Sequence, residues 1–267
     1  MYFSINGAEY WYETHGKGKP LVLLHGFTGS TTTWSEFVAN WSNDLQIITI
    51  DLPGHGRTKT RTSKTMEECC KDLLELANHL NLDSFSLLGY SMGGRTALSF
   101  AMLYPEKISS LILESASPGL GEKSIRSHRI EKDEELAQKL EREGIESFVD
   151  FWEKIPLFHT QRSLPTEVLY KIREERSLQS AEGLAQSLRF MGTGIQPSWW
   201  EQLDQLSGPV LLLAGEHDEK FIDINKLMEK RLYSGELVII KGAGHAIHVE
   251  QAEKFGRIVT EFIFSKQ

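Results

Sequence analysis

The segment of this chain best suited to carry chemistry is Gly89-Tyr90-Ser91-Met92-Gly93. Its G-x-S-x-G spacing is entered from the apolar run Phe85 to Leu88 and left through the helix-like stretch Gly94 to Leu103. That context places the serine in a strained strand-to-helix turn, where side chains larger than the two glycines would clash with the adjoining strand and helix. A serine hydroxyl alone is a weak nucleophile and a weak base; it needs an imidazole to take its proton and a carboxylate to fix the tautomer of that imidazole. Two later segments, Ala214-Gly215-Glu216-His217-Asp218 and Gly242-Ala243-Gly244-His245, each follow an apolar run and end on the required side chain. The expected catalytic set is Ser91, Asp218 and His245, in that chain order. Glu216 and Asp223 are the alternatives to Asp218. His217, expected to point away from Asp218, and His248, expected to pack or cap near the last helix, are the rivals of His245.

Charge that develops during reaction needs two backbone N–H groups aimed at it. His25-Gly26-Phe27 follows the apolar run Leu21 to Leu24, and its position suits a loop that contributes the N–H of Phe27, with the N–H of Met92 as the second donor. His25 reads as a brace for this loop, and Asp51 to Gly56 as a structural turn.

The elements that must position these groups follow from the spacing of apolar runs. Leu21 to Leu24, Gln46 to Ile50, Phe85 to Leu88 and Leu111 to Leu113 alternate with longer amphipathic stretches up to about residue 118. This is the rhythm of a mostly parallel sheet covered by helices on both faces. The rhythm stops from Gly119 to about Pro197, where charge-rich helical patterns such as Glu131 to Glu143 and Glu167 to Glu175 take over. It resumes with Pro209 to Leu213, Leu237 to Ile240 and a final helix from about Gln251 to Phe264. The predicted organisation is an α/β core over residues 1–118 and 198–267, interrupted by an inserted helical cap over residues 119–197.

A chain of 267 residues with 40% hydrophobic and 25% charged residues is large enough to bury a sizeable core. Its net charge of −8 disfavours nonspecific binding to nucleic acid, so any anionic ligand must be held by local cations. Cys69 and Cys70, the only cysteines, are sequence neighbours and read as ordinary thiols. Residues Met1 to Tyr12 lack the features of a signal peptide and no apolar run is long enough to span a membrane, which points to the cytoplasm. No grouping has metal-ligand spacing and no phosphate loop is present, so neither metal nor cofactor is expected. Oligomeric state is not legible.

Arg95 stands four residues after Ser91, on the same helical face. A guanidinium enclosed there needs an anion, either a structural carboxylate or a carboxylated substrate. Together these segments resemble the α/β-hydrolase superfamily over nearly the whole chain, a frame that many reactions share. The segments Ser117 to Leu120, Phe151 to Phe158, Ser187 to Gly194 and Gln196 to Trp200, with the elbow Gly89 to Arg95, further resemble the 2-succinyl-6-hydroxy-2,4-cyclohexadiene-1-carboxylate synthase family of menaquinone biosynthesis. That resemblance implies a lyase that eliminates pyruvate from 2-succinyl-5-enolpyruvyl-6-hydroxy-3-cyclohexene-1-carboxylate, with the triad abstracting a proton. It assigns the substrate carboxylates to Arg95, Arg189 and one or both of Arg126 and Arg129, and adds Tyr90 and Trp152 to the pocket, although Trp152 reads equally well as core packing. The competing readings are a serine hydrolase acting on a carboxylated small molecule, through an acyl or tetrahedral intermediate, and a binding protein that has lost catalysis.

Overall fold

The structure, a computed structural model, describes residues 1–265. An N-terminal hairpin, β1 (Tyr2–Ile5) and β2 (Ala8–His15), precedes β3 (Lys19–Leu24), α1 (Ser35–Trp41), β4 (Leu45–Ile50) and the two-residue β5 (Lys59–Thr60). Then come α2 (Met66–His79), β6 (Phe85–Tyr90), α3 (Met92–Leu103) and β7 (Ile108–Glu114). Three helices follow without a strand: α4 (Lys123–Trp152), α5 (Thr166–Ser177) and α6 (Ala181–Met191). The chain closes with β8 (Val210–Gly215), α7 (Glu219–Glu229), β9 (Gly235–Ile240), α8 (Ile247–Glu250) and α9 (Ala252–Ser265).

The strands form one sheet in the order β1-β2-β4-β3-β6-β7-β8-β9, with β5 paired to β2. Pairing is antiparallel where β2 meets β1, β4 and β5, and parallel from β4 to β9. The parallel strands are apolar on both faces because both faces are covered. Val22, Leu24, Leu87, Leu111 and Leu113 point into a layer built with α2, α3 and α7. Leu21, Leu23, Leu88, Ile112 and Leu213 point to the other side, against Phe37 and Trp41 of α1 and Phe255 and Val259 of α9. The period of two thus sorts neighbouring residues of one strand into two cores.

Two boundaries differ from the sequence reading. The antiparallel start of the sheet was not anticipated, because β1 and β2 are only partly buried and mix polar with aromatic residues. Helix α4 runs 30 residues, well beyond Glu131 to Glu143, with a break at Gly144 (φ 77°, ψ 175°). Its inner side packs Ala137, Leu140 and Phe148 against Leu184, Ala185 and Leu188 of α6.

Helix α2 starts at a reciprocal cap, in which the Glu68 N–H donates to Thr65 Oγ1 and the Thr65 N–H donates to Glu68 Oε2. The helix buries Cys69 and Cys70, and burial pushes the Cys69 thiol up to about 12 and the Cys70 thiol well above its usual value. It also carries Asp72, which is buried and accepts hydrogen bonds from the Asn6 amide (2.8 Å) and the Tyr10 hydroxyl (3.0 Å). Lys64 Nζ lies 2.8 Å from the same carboxylate, and both side chains are buried. Removing one partner of such a pair leaves the other charge buried and unmatched. Asp72→Ala is therefore expected to lower stability by about 3–5 kcal/mol, read from urea unfolding with an unchanged slope. A loss under about 1 kcal/mol would remove Asp72 as the tie between the hairpin and α2.

Candidate active site

Ser91 follows β6, Asp218 lies just past β8 and His245 just past β9, so three parallel strands deliver their loops to one edge of the sheet. The Asp218 carboxylate can only accept, so the His245 Nδ1–H donates to Asp218 Oδ2 at 2.7 Å. That leaves Nε2 of the neutral ring to accept from the Ser91 hydroxyl at 3.0 Å. The alternatives lie elsewhere. Glu216 accepts the N–H of Gly242, Asp223 is exposed beside Lys226, and His217 is exposed. His248 is buried, and its backbone N–H and its Nδ1 both donate to Glu114.

Ser91 adopts φ 50°, ψ −105°, a conformation that side-chain-bearing residues rarely take. Two close approaches hold it there. A Cβ on Gly93 would lie 2.2 Å from the Leu24 carbonyl oxygen, and one on Gly89 would lie 2.2 Å from the carbonyl oxygen of Gly93. The Ser91 N–H donates to the Glu114 carbonyl, anchoring the turn to β7.

Met92 is the first residue of α3 and its N–H has no intrahelical acceptor. The N–H of Phe27 likewise meets no acceptor among the described residues. The loop carrying Phe27 is braced by His25, whose Nδ1–H donates to the Gly26 carbonyl (2.8 Å) and whose Nε2 accepts the Leu52 N–H (3.0 Å). Asp51 Oδ1 accepts the N–H of Thr31 and Oδ2 that of Arg57. The ring of His55 lies 5.0 Å from that of His25. Burial, with His25 beside it, lowers the His55 pKa to about 3, and burial lowers that of His25 against the pull of Asp51.

A cavity of about 520 Å³ opens over Ser91 and His245, within the usual range for small-molecule sites. Its lining includes Arg95, Arg129, Lys132 and Lys220 but no aspartate or glutamate. Arg95 Nη1 donates to the carbonyl of Met191 and to Gln196 Oε1, both neutral acceptors. Burial lowers its pKa to about 10, with Arg129 acting in the same direction and Asp133 against. Burial likewise lowers the pKa of Lys220, helped by Arg129. Arg129 and Lys132 are paired with Asp133 and Glu135.

Not every residue expected at the site reaches it. Arg189 does not: it follows Leu188 on α6, and its guanidinium crosses the outer side of α4 to pair with Glu134 and Glu141. Arg126 donates to the Ile195 carbonyl and does not line the cavity, which separates it from Arg129. Tyr90 is buried behind the elbow, its ring 4.6 Å from that of His248. It lines a second cavity of about 530 Å³ on the other side of Phe27. Trp152 both lines the catalytic cavity and packs, stacked on Phe148 and edge-on to Phe27.

Three cations went unrecognised in the sequence. Lys220 stands two residues after Asp218, a spacing that would have pointed to it, and Lys132 is one turn from Arg129. Arg176, buried over the Phe158 ring in the second cavity, had no local signal.

A model of the alpha/beta hydrolase fold family matches residues 19–252. The chain is 46% identical to a putative 2-succinyl-6-hydroxy-2,4-cyclohexadiene-1-carboxylate synthase of Bacillus subtilis, covering 97% of this chain and 96% of that one. The structure of MenH from S. aureus superposes with a TM-score of 0.92 at 36% identity, covering 98% of this chain and all of that one (100%). A thermophilic esterase from Thermogutta terrifontis, solved with malate bound, superposes with a TM-score of 0.84 at 29% identity, covering 97% and 94%.

Two predictions arise from these charges. Because Arg95 has no ion-pair partner among the described residues, Arg95→Met should melt no lower than the unsubstituted protein. Citrate, used as a polycarboxylate probe, should raise the melting temperature of the unsubstituted protein by several degrees and that of Arg95→Met by much less. A variant that melts several degrees lower and keeps the citrate response would make Arg95 structural. For His55, the folded pKa lies below the unfolded one. As pH falls from 7 to 5 the unfolded chain binds a proton that the folded chain refuses, and stability drops. His55→Gln should lessen that drop by about 2 kcal/mol, taking an unfolded pKa near 6.5. Urea unfolding at both pH values measures it, and equal losses in the two proteins would refute it.

Proposed function

The chain belongs to the 2-succinyl-6-hydroxy-2,4-cyclohexadiene-1-carboxylate synthase family of α/β-hydrolase-fold proteins, and from that membership we infer that it eliminates pyruvate from 2-succinyl-5-enolpyruvyl-6-hydroxy-3-cyclohexene-1-carboxylate in menaquinone biosynthesis. The observation that carries this reading is the cavity above Ser91, which presents four cations and no carboxylate in a chain of net charge −8. Apolar esters would gain nothing from such a lining, whereas the substrate bears carboxylates on the ring, the succinyl arm and the enolpyruvyl group.

The difference between substrate and product defines the chemistry. A proton leaves ring carbon 2, beside the succinyl ketone, and the C–O bond at carbon 5 breaks. The ring double bond between carbons 3 and 4 gives way to the 2,4-diene. In this reading His245 takes the hydroxyl proton of Ser91, and Ser91 Oγ takes the proton from carbon 2. Asp218 holds the Nδ1–H of His245 and stabilises the imidazolium. Negative charge moves to the ketone oxygen, where the N–H groups of Phe27 and Met92 receive it. Collapse of that enolate expels enolpyruvate, which takes up a proton on carbon to become pyruvate and balances the one held by His245. No acyl-enzyme forms.

In this reading Arg95, Arg129 and Lys220, which line the cavity, hold the carboxylates, and Trp152 supplies an apolar wall. Residues 119–197 then act as a cap that carries cations over a triad mounted on residues 1–118 and 198–267. We place the enzyme in the cytoplasm; among the described residues no helix is long and apolar enough to cross a membrane.

Pyruvate release from the enolpyruvyl substrate tests this reading. Ser91→Ala should slow it by on the order of a thousandfold or more. Intact-protein mass spectrometry of quenched reactions should show no substrate-derived mass on Ser91. An alanine variant with the unsubstituted rate would remove Ser91 from the reaction, and a trapped adduct would move the protein to the serine hydrolases.

A further inference from the structure

The loop that carries Phe27 is held from outside the sheet domain. Glu175 of α5 reaches down from the helical insertion, and its Oε1 accepts four hydrogen bonds from three residues, Ser30, Thr32 and Thr33. The donors are the N–H and hydroxyl of Ser30 (2.9 and 2.8 Å), the Thr32 hydroxyl (2.9 Å) and the Thr33 hydroxyl (2.8 Å). Gln179, one turn further along the chain, donates to the Glu175 carbonyl and accepts the N–H of Gly56. Beside it the backbones of Gly183 and Gly54 touch, so closely that a Cβ on Gly54 would lie 2.2 Å from the Gly183 carbonyl oxygen. The two gripped loops, 25–31 and 51–57, are themselves tied together through Asp51 and His25. Thr28, next to Phe27, sits at φ 68°, so the loop does not rest in a conformation it would hold unaided.

We propose that Glu175 is a positioning residue for catalysis: by gathering the Ser30, Thr32 and Thr33 donors, it fixes the N–H of Phe27 and makes a working oxyanion hole depend on the helical insertion being seated. The physical basis is that a carboxylate accepting several donors forms stronger, charge-assisted bonds, and that oxyanion donors work only when held at the position the charge will occupy. The inference rests on the reading of Phe27 N–H as an oxyanion donor. It does not depend on which substrate the enzyme uses.

The test is the rate at which diethyl p-nitrophenyl phosphate labels Ser91, followed by p-nitrophenolate release and intact mass. In that reaction Ser91 Oγ bonds to phosphorus, p-nitrophenolate leaves and His245 receives the hydroxyl proton. The reagent is too small to need the cavity cations. Glu175→Ala should slow labelling by on the order of tenfold to a hundredfold, less than complete loss of an oxyanion donor. Glu175→Gln should recover much of the rate, since its amide oxygen still accepts. Thr32→Val combined with Thr33→Val removes two of the donors, should slow labelling in the same direction, and stands in should the alanine variant fail to fold. Melting curves run alongside separate positioning from simple stapling. If Glu175→Ala melts lower but is labelled at the unsubstituted rate well below its melting point, the proposal is wrong. Absence of labelling in the unsubstituted protein would overturn the oxyanion reading and this inference together. Labelling that follows the expected order in a protein that releases no pyruvate would overturn only the assigned reaction.

Discussion

The rest of the site depends on how closely strand β6 and helix α3 approach at Ser91. Contact of Gly93 with the Leu24 carbonyl and of Gly89 with Gly93 leaves no room for a Cβ, and within that space Ser91 is forced to positive φ. From this one joint come the hydroxyl, the free N–H of Met92 and, one turn on, the guanidinium of Arg95. Their mutual geometry is therefore a property of the sheet packing and not of loop conformation. The strain at Ser91 is borne by β3, β6 and β7, whose central residues are fully buried between two apolar layers.

Electrostatics divides the cations of the molecule by what they meet. Two arginines on the outer side of the helical segment are neutralised within it: Arg189 by Glu134 and Glu141, and Arg173 by Asp150 and Glu153. Those facing inward are not treated alike. Among the described residues Arg95 meets only carbonyl oxygens and Lys220 forms no ion pair. The acidic residues that dominate the overall charge are kept out of the cavity wall. A low-dielectric space with unmatched positive charge attracts a polyanion and excludes neutral competitors, so selectivity follows from where carboxylates are absent as much as from where arginines are present.

The parts of this arrangement legible in the sequence are those fixed by local geometry. A glycine-flanked serine between an apolar run and a helix, and an acid and a histidine each just past a strand, can be located because strand ends in a parallel sheet share an edge. The cavity-lining side chains were less legible because they ride on helices whose rotation is set by packing. Arg126 and Arg129 are three residues apart, and only the contact of α4 with α6 decides that the second faces the cavity. Arg189 was misplaced for the same reason, since the apolar stripe of α6 that includes Leu184 and Leu188 turns inward and leaves it outside. Tyr90 adjoins the serine in sequence, yet the sharp turn sends its side chain behind the elbow. Glu175 is invisible from the sequence, because its four donors lie more than 140 residues away.

The paired cysteines of α2 have a practical meaning. Both thiols are buried, Cys69 beside Tyr10 of β2 and Cys70 donating weakly to the Thr96 carbonyl of α3, and burial favours the unreactive protonated form of both. A soluble alkylating reagent reaches them only when α2 lifts away. Their modification rate in the native protein is then the intrinsic thiol rate scaled by the fraction of time that helix is undocked. The molecule thus contains its own clock for the breathing of one helix, remote from the chemistry and readable without adding a label.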